Sequence, residues 1–206
     1  MKKLSLLAVA LLATAPMLAN AESTFTTGAG TPITANARLD FRVTIPKILF
    51  LQVSTGTNMA TNSQIDLIDF TVPAANVGNG TPVAATAASG DLANGTVTAK
   101  LLGNNGNISL SSNTIGAMNS GGTDTISYSQ INTAVAANVS ATVLAAPALA
   151  DGVATNVAIA PNVGAKVVNQ DAKWTYTYKN TAIVPPGTYG GVNTNNGRVT
   201  YTASMP

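Results

Sequence analysis

The side chains able to do chemistry are few, and two absences dominate. The 206-residue chain contains no His and no Cys. That removes the usual zinc ligand sets, the Ser–His–Asp triad, thiol nucleophiles and the commonest general base. Eight acidic residues remain, with Asp66 and Asp69 close in sequence and Asp124 and Asp171 beside strand-like stretches. A carboxylate pair could hydrolyse a glycosidic bond if both groups converged on it. Residues three apart, however, point to opposite faces of a strand unless a bulge intervenes, and Asp in turn-rich sequence is ordinarily a turn residue. Gly78-Asn79-Gly80 and Gly103-Asn104-Asn105-Gly106 lack the Lys-Ser/Thr ending and following helix of a phosphate loop, so they read as turns. No stretch spaces Asp, Asn and Glu for a calcium loop. The expectation is a non-enzymatic chain with no catalytic residue, no metal ligand and no cofactor.

One aromatic constellation stands apart. Trp174, Tyr176 and Tyr178 alternate with Lys173, Thr175, Thr177 and Lys179 and so share one strand face. Such a face could stack on a sugar. With only ten aromatic residues in the chain, inward packing is the favoured reading, because each ring buries a large area.

These residues need a scaffold, and composition bounds it. Charged residues are 9% of the chain and hydrophobic ones 46%, too apolar for disorder and too poor in charge for strong self-repulsion. Two of the ten basic residues are Lys2 and Lys3; without them the basic and acidic residues balance at eight each. The remaining basic residues are scattered from Arg38 to Arg198, so nucleic-acid binding, which needs clustered cations, is not expected.

Lys2 and Lys3, the apolar run from Leu4 to Ala15, and Ala19-Asn20-Ala21 have the anatomy of a secretory leader, with cleavage expected after Ala21. The expected organisation is a signal peptide over 1–21, a flexible segment over 22–36 and a β domain over 37–206. No transmembrane helix is expected in the mature chain. The protein is expected to be exported, passing the periplasm to the cell surface.

Alternation supplies the strands. Leu39, Phe41, Val43 and Ile45 alternate with charged and polar residues up to Pro46, and 48–53 reads as a deeper strand. A further strand is expected over 65–72. Residues 95–102 and 107–112 suggest a hairpin about Gly103–Gly106, and Asn119–Gly122 another turn. Short strands are expected near 141–144 and 153–159, and the last over 199–205. Pro186-Gly187 suits a type II turn. The predicted core includes Phe41, Val43, Leu49, Leu51, Leu101, Ile108, Trp174, Tyr176 and Tyr201. Many short strands between Gly and Asn turns read as an all-β sandwich.

Three stretches carry a family resemblance: Leu39-Asp40-Phe41-Arg42-Val43, Pro186-Gly187-Thr188-Tyr189, and Gly197-Arg198-Val199-Thr200-Tyr201-Thr202. With the leader and the alternating last strand, the chain resembles bacterial fimbrial (pilin-like) subunits of the chaperone–usher type. The resemblance implies an immunoglobulin-like β-sandwich lacking one strand. It also implies a periplasmic chaperone and an outer-membrane usher as partners, and self-association or pairing with other fimbrial subunits by β-strand addition. Phe25 and Ile33 of 22–36 are then the expected donor side chains, and Val199 and Tyr201 border the expected acceptor groove. The chain departs from the family in lacking a disulfide and in ending Ser204-Met205-Pro206. Two other readings stand: a monomeric exported β-sandwich binding module recognising carbohydrate or protein, and, less well matched by ten aromatics, a small outer-membrane barrel.

Overall fold

The computed structural model describes residues 22–206; the leader read over 1–21 lies outside the described residues. The chain is nearly all β, built from antiparallel sheets. It divides into two compact units, Met1–Ile45 and Pro46–Pro206.

In the second unit the strands are β1 (Leu49–Val53), β2 (Val83–Ala84), β3 (Thr96–Gly103), β4 (Ile108–Thr114), β5 (Met118–Asn119), β6 (Thr125–Ile126), β7 (Ile131–Ala136), β8 (Thr155–Ile159), β9 (Val168–Tyr178) and β10 (Val199–Ser204). One sheet runs β1-β3-β9-β2, with β7 on the other edge of β9; a second runs β10-β4-β8; β5 and β6 form a small ribbon. Strand β9 is long enough to pair with β3 along Val168–Thr175 and with β2 at Thr177 and Tyr178.

The alternation that builds these strands also builds the core. Val97, Ala99 and Leu101 of β3, Ile108 and Leu110 of β4, and Ala172, Trp174 and Tyr176 of β9 are buried in one cluster with Leu144, Ile159 and Val168. Both larger sheets therefore contribute to the same apolar interior. Trp174 is fully buried and its indole N–H donates to the Leu144 carbonyl at 3.0 Å, which satisfies the one polar atom the ring carries inside. Burial of Trp174, Tyr176 and Tyr178 removes the exposed sugar-stacking face that their alternation also allowed.

The expected hairpin between 95–102 and 107–112 is not formed. Strands β3 and β4 are where the pattern puts them, but β3 pairs with β1 and β9 while β4 pairs with β8 and β10. The connection crosses from one sheet to the other. Asn104 holds it there: its amide donates to the Pro46 carbonyl at 2.8 Å and its Oδ1 accepts the Ile48 N–H at 2.9 Å, while the Gly106 N–H goes to Lys166 O at 2.8 Å. Gly103 sits so tightly that a Cβ would lie 2.7 Å from Ile108 Cδ1.

Three more expectations are corrected. Gly187 does not adopt the positive φ of a type II turn. Residues 65–72 run extended but enter no sheet, and near 141–144 only an isolated bridge from Val143 to Asp171 forms. Most consequentially, 39–45 is not a core strand. Leu39, Phe41, Val43 and Ile45 are 73–86% exposed and the stretch lacks ladder pairing. Phe41 and Val43 are thus outside the core, and Leu49, at the start of edge strand β1, is also largely exposed. An apolar stripe becomes core only if something covers it, and nothing described in this chain covers 39–45.

Among the described residues no helix is long and apolar enough to cross a membrane.

Candidate functional site

Among the described residues β1 pairs with β3 and β10 with β4 and neither has a second partner, as is also true of β2, β7 and β8. Burial distinguishes β10 from its partner. On β4 the inward residues Ile108, Leu110, Ser112 and Thr114 are buried. On its neighbour β10 the inward residues Val199, Tyr201 and Ala203 are only half-buried, although their alternation is just as regular. Their side chains point inward and pack against the core, but remain partly accessible.

A cavity of about 1070 Å³ lies beside β10. It is lined by Leu51 and Val53 of β1, by the stretch 64–72, by Val199 and Tyr201 of β10 and by the loop 184–193, and also by Met118 of β5, Ile126 of β6 and Ile131 of β7. Tyr176 and Val97 from the shared core lie at its base. Val199 and Tyr201, which the family resemblance places beside an acceptor groove, both line this cavity. The stretch expected as a strand over 65–72 instead lines the cavity without entering a sheet.

Several devices hold the walls. Asp66 ties 64–72 to the end of β1: its carboxylate accepts from the Ser54 hydroxyl, from the Thr55 N–H at 2.9 Å and from the Thr55 hydroxyl at 2.6 Å. Partial burial pushes that carboxyl up, but the hydrogen bonds from Ser54 and Thr55 outweigh it and leave the pKa below the ordinary value. Farther along, the Thr86 N–H donates to Asp69 O at 2.8 Å and Asp69 N–H donates to Ser89 Oγ at 2.9 Å. Asp66 and Asp69 serve as anchors of an extended segment rather than as a converging pair.

The loop wall is closed by backbone contact. Gly190 and Gly191 have positive φ, and a Cβ on Gly197 would lie 2.2 Å from Gly191 N. Only glycine permits that approach. At the groove's base the Tyr201 and Tyr176 hydroxyls are 2.9 Å apart, and the Tyr201 ring packs at 5.5 Å from Trp174. Burial pushes the Tyr176 phenol up to about 12 and raises that of Tyr201 well above its ordinary value, with Tyr176 adding to the latter. The pair is neutral across physiological pH, a hydrogen-bonded floor without a charge.

The first unit, considered by itself, carries the complementary feature. Phe25 and Ile33 are exposed, at 91% and 50%, but eight residues apart they form no stripe. Leu39, Phe41, Val43 and Ile45 do, in an extended run ending at Pro46, whose missing N–H stops any ladder. Asp40 and Arg42 lie on the alternate face. Both the alternation and its end at Pro46 are legible in the sequence; that nothing among the described residues covers the stripe is not.

Compared with known proteins, the chain matches no family model, no curated protein and no solved structure.

Proposed function

We propose that the chain is a non-enzymatic exported subunit of a fimbrial or pilin-like surface fibre, with an immunoglobulin-like β-sandwich completed by a strand from another polypeptide. The observation that carries this reading is the coexistence of an exposed, alternating apolar stripe and a largely apolar groove. Leu39, Phe41, Val43 and Ile45 stand exposed, and the cavity is lined in part by β1 and β10, two strands with one ladder partner each. An added strand gains main-chain hydrogen bonds along an edge while alternate side chains fill pockets.

The energetics favour 39–45 over 22–36 as donor. Burying four large apolar side chains is worth roughly 6–12 kcal/mol gross at about 1.5–3 kcal/mol each. Fixing seven residues costs about 1–2 kcal/mol apiece, a comparable sum. The edge hydrogen bonds then decide the balance. Phe25 and Ile33 alone supply half as many anchors.

On this reading the leader directs export, a periplasmic chaperone covers the groove in transit, an outer-membrane usher assembles the subunits, and the product stands on the cell surface. Purified mature protein should form multimers by light scattering and filaments by electron microscopy. Phe41→Asp with Val43→Asp should leave monomers whose β-rich circular dichroism is unchanged. Multimers unaffected by both substitutions would end the strand-addition reading. A protein that is monomeric from the outset would leave the groove as the site of an exported module that binds carbohydrate or protein.

A further inference from the structure

The first unit contains a second ordered feature. The Arg38 guanidinium donates to both Glu22 carboxylate oxygens, at 2.6 and 2.9 Å. The Thr24 hydroxyl donates to Asn36 O at 2.8 Å and the Thr26 hydroxyl to Thr34 O at 3.1 Å. Each step of two residues forward on one arm is a step of two back on the other. The chain therefore folds back antiparallel about Gly28–Pro32, laced by side chains. The lacing stops at Arg38, one residue before Leu39.

We infer that this folded-back arm is a register stop, which lets only residues 39–45 of one copy of this chain enter the groove of a second copy. The inference rests on the strand-addition reading above. A groove that lacks one strand admits a single extended chain; the arm doubles the chain over 22–38, and a second strand adds about 4.8 Å of width. At the other end Pro46 ends the ladder. The seven residues between have a length of about 23 Å at roughly 3.3 Å each, matched to the six-residue edge of β10.

Register needs such a device. A slip of one residue would turn Arg38, Asp40 and Arg42 toward the apolar floor, which is strongly disfavoured. A slip of two keeps the apolar face inward, so side-chain pattern opposes it less. The bidentate clasp at Arg38 blocks that slip in one direction by keeping the chain doubled up to the edge of the stripe.

The test uses the absence of native cysteines. Thr202→Cys, on the outward face of β10, is combined in turn with Asp40→Cys, Arg42→Cys or Thr44→Cys, and intermolecular disulfides are scored in purified multimers. Neighbouring strands bring only facing pairs within bonding distance. One of the three positions should dominate, by about tenfold. Deleting 22–33 should preserve multimers but spread the disulfide over at least two positions. Arg38→Glu should do the same, and adding Glu22→Arg to it should restore the single position. An unchanged single position after deletion, or no rescue by the charge swap, overturns the register stop while leaving strand addition intact. Loss of multimers on deletion also overturns it, because the arm would then be part of the donor itself. A parent protein that forms no multimers overturns both.

Discussion

Trp174 and Phe41 show how similar sequence signals lead to opposite fates. Each sits in a strictly alternating stretch, yet Trp174 is fully buried with its N–H bonded, and Phe41 is 86% exposed. Trp174→Ala should therefore cost roughly 3–5 kcal/mol in denaturant unfolding of the monomer. Phe41→Ala should change the monomer by no more than about 0.5 kcal/mol yet weaken multimers sharply. The tyrosine pair gives an alkaline limit. An unfolded phenol titrates near about 10, whereas Tyr176 in the fold is pushed up to about 12. The contribution of the pair is thus complete below about pH 10 and lost as pH rises toward 12, so phenolate absorbance and loss of β structure should appear together in that window. Asp66 works in the other sense. Its folded pKa lies below the ordinary value, so its anchoring of 64–72 is complete above about pH 4 and is lost as pH falls through the lower folded value. Asp66→Asn should flatten that acid dependence; an unaltered acid arm would remove Asp66 from the wall.

Among the elements, periodicity was a good guide to strand position and a poor one to pairing. Strands β1, β3, β4, β8 and β10 lie close to where the sequence places them, β9 extends back to Val168 from the expected 173–179 stretch, and the Asn119–Gly122 turn joins β5 to β6. Pairing of β3 with β4 did not follow, because Gly103–Gly106 looks locally like any hairpin turn. What sends it between sheets is Asn104 bonding to Pro46 and Ile48, residues more than fifty positions away. The groove was half-legible for the same reason: Val199 and Tyr201 lie on the alternating last strand, while loop 184–193 and stretch 64–72 carry no period that reveals a wall. The glycine contact in that wall is testable. Gly197→Ala brings a Cβ against Gly191 backbone atoms at 2.2 and 2.6 Å, which the loop relieves only by opening. A loss of about 1–3 kcal/mol is expected in thermal or denaturant unfolding; a neutral result would show that the loop moves freely away from β10.

Among the described residues are a charge-poor β unit with several single-partner edge strands and an N-terminal unit that carries an exposed apolar stripe. Low charge fits assembly, since little repulsion opposes the approach of copies. On the proposed reading both halves of the interface lie on one chain, and a head-to-tail contact that does not close on itself repeats into fibres. The measurement that tests this most directly is amide hydrogen exchange on multimers against the Phe41→Asp, Val43→Asp monomer. Edge amides that bond only to solvent exchange fast, and pairing slows them. The account predicts that assembly slows exchange in two places together, the amides of 39–45 and those of β10 over 199–204, with the β3–β9 core already protected in both forms. Multimers in which 39–45 and β10 exchange as fast as in the monomer, with new protection elsewhere, would contradict it.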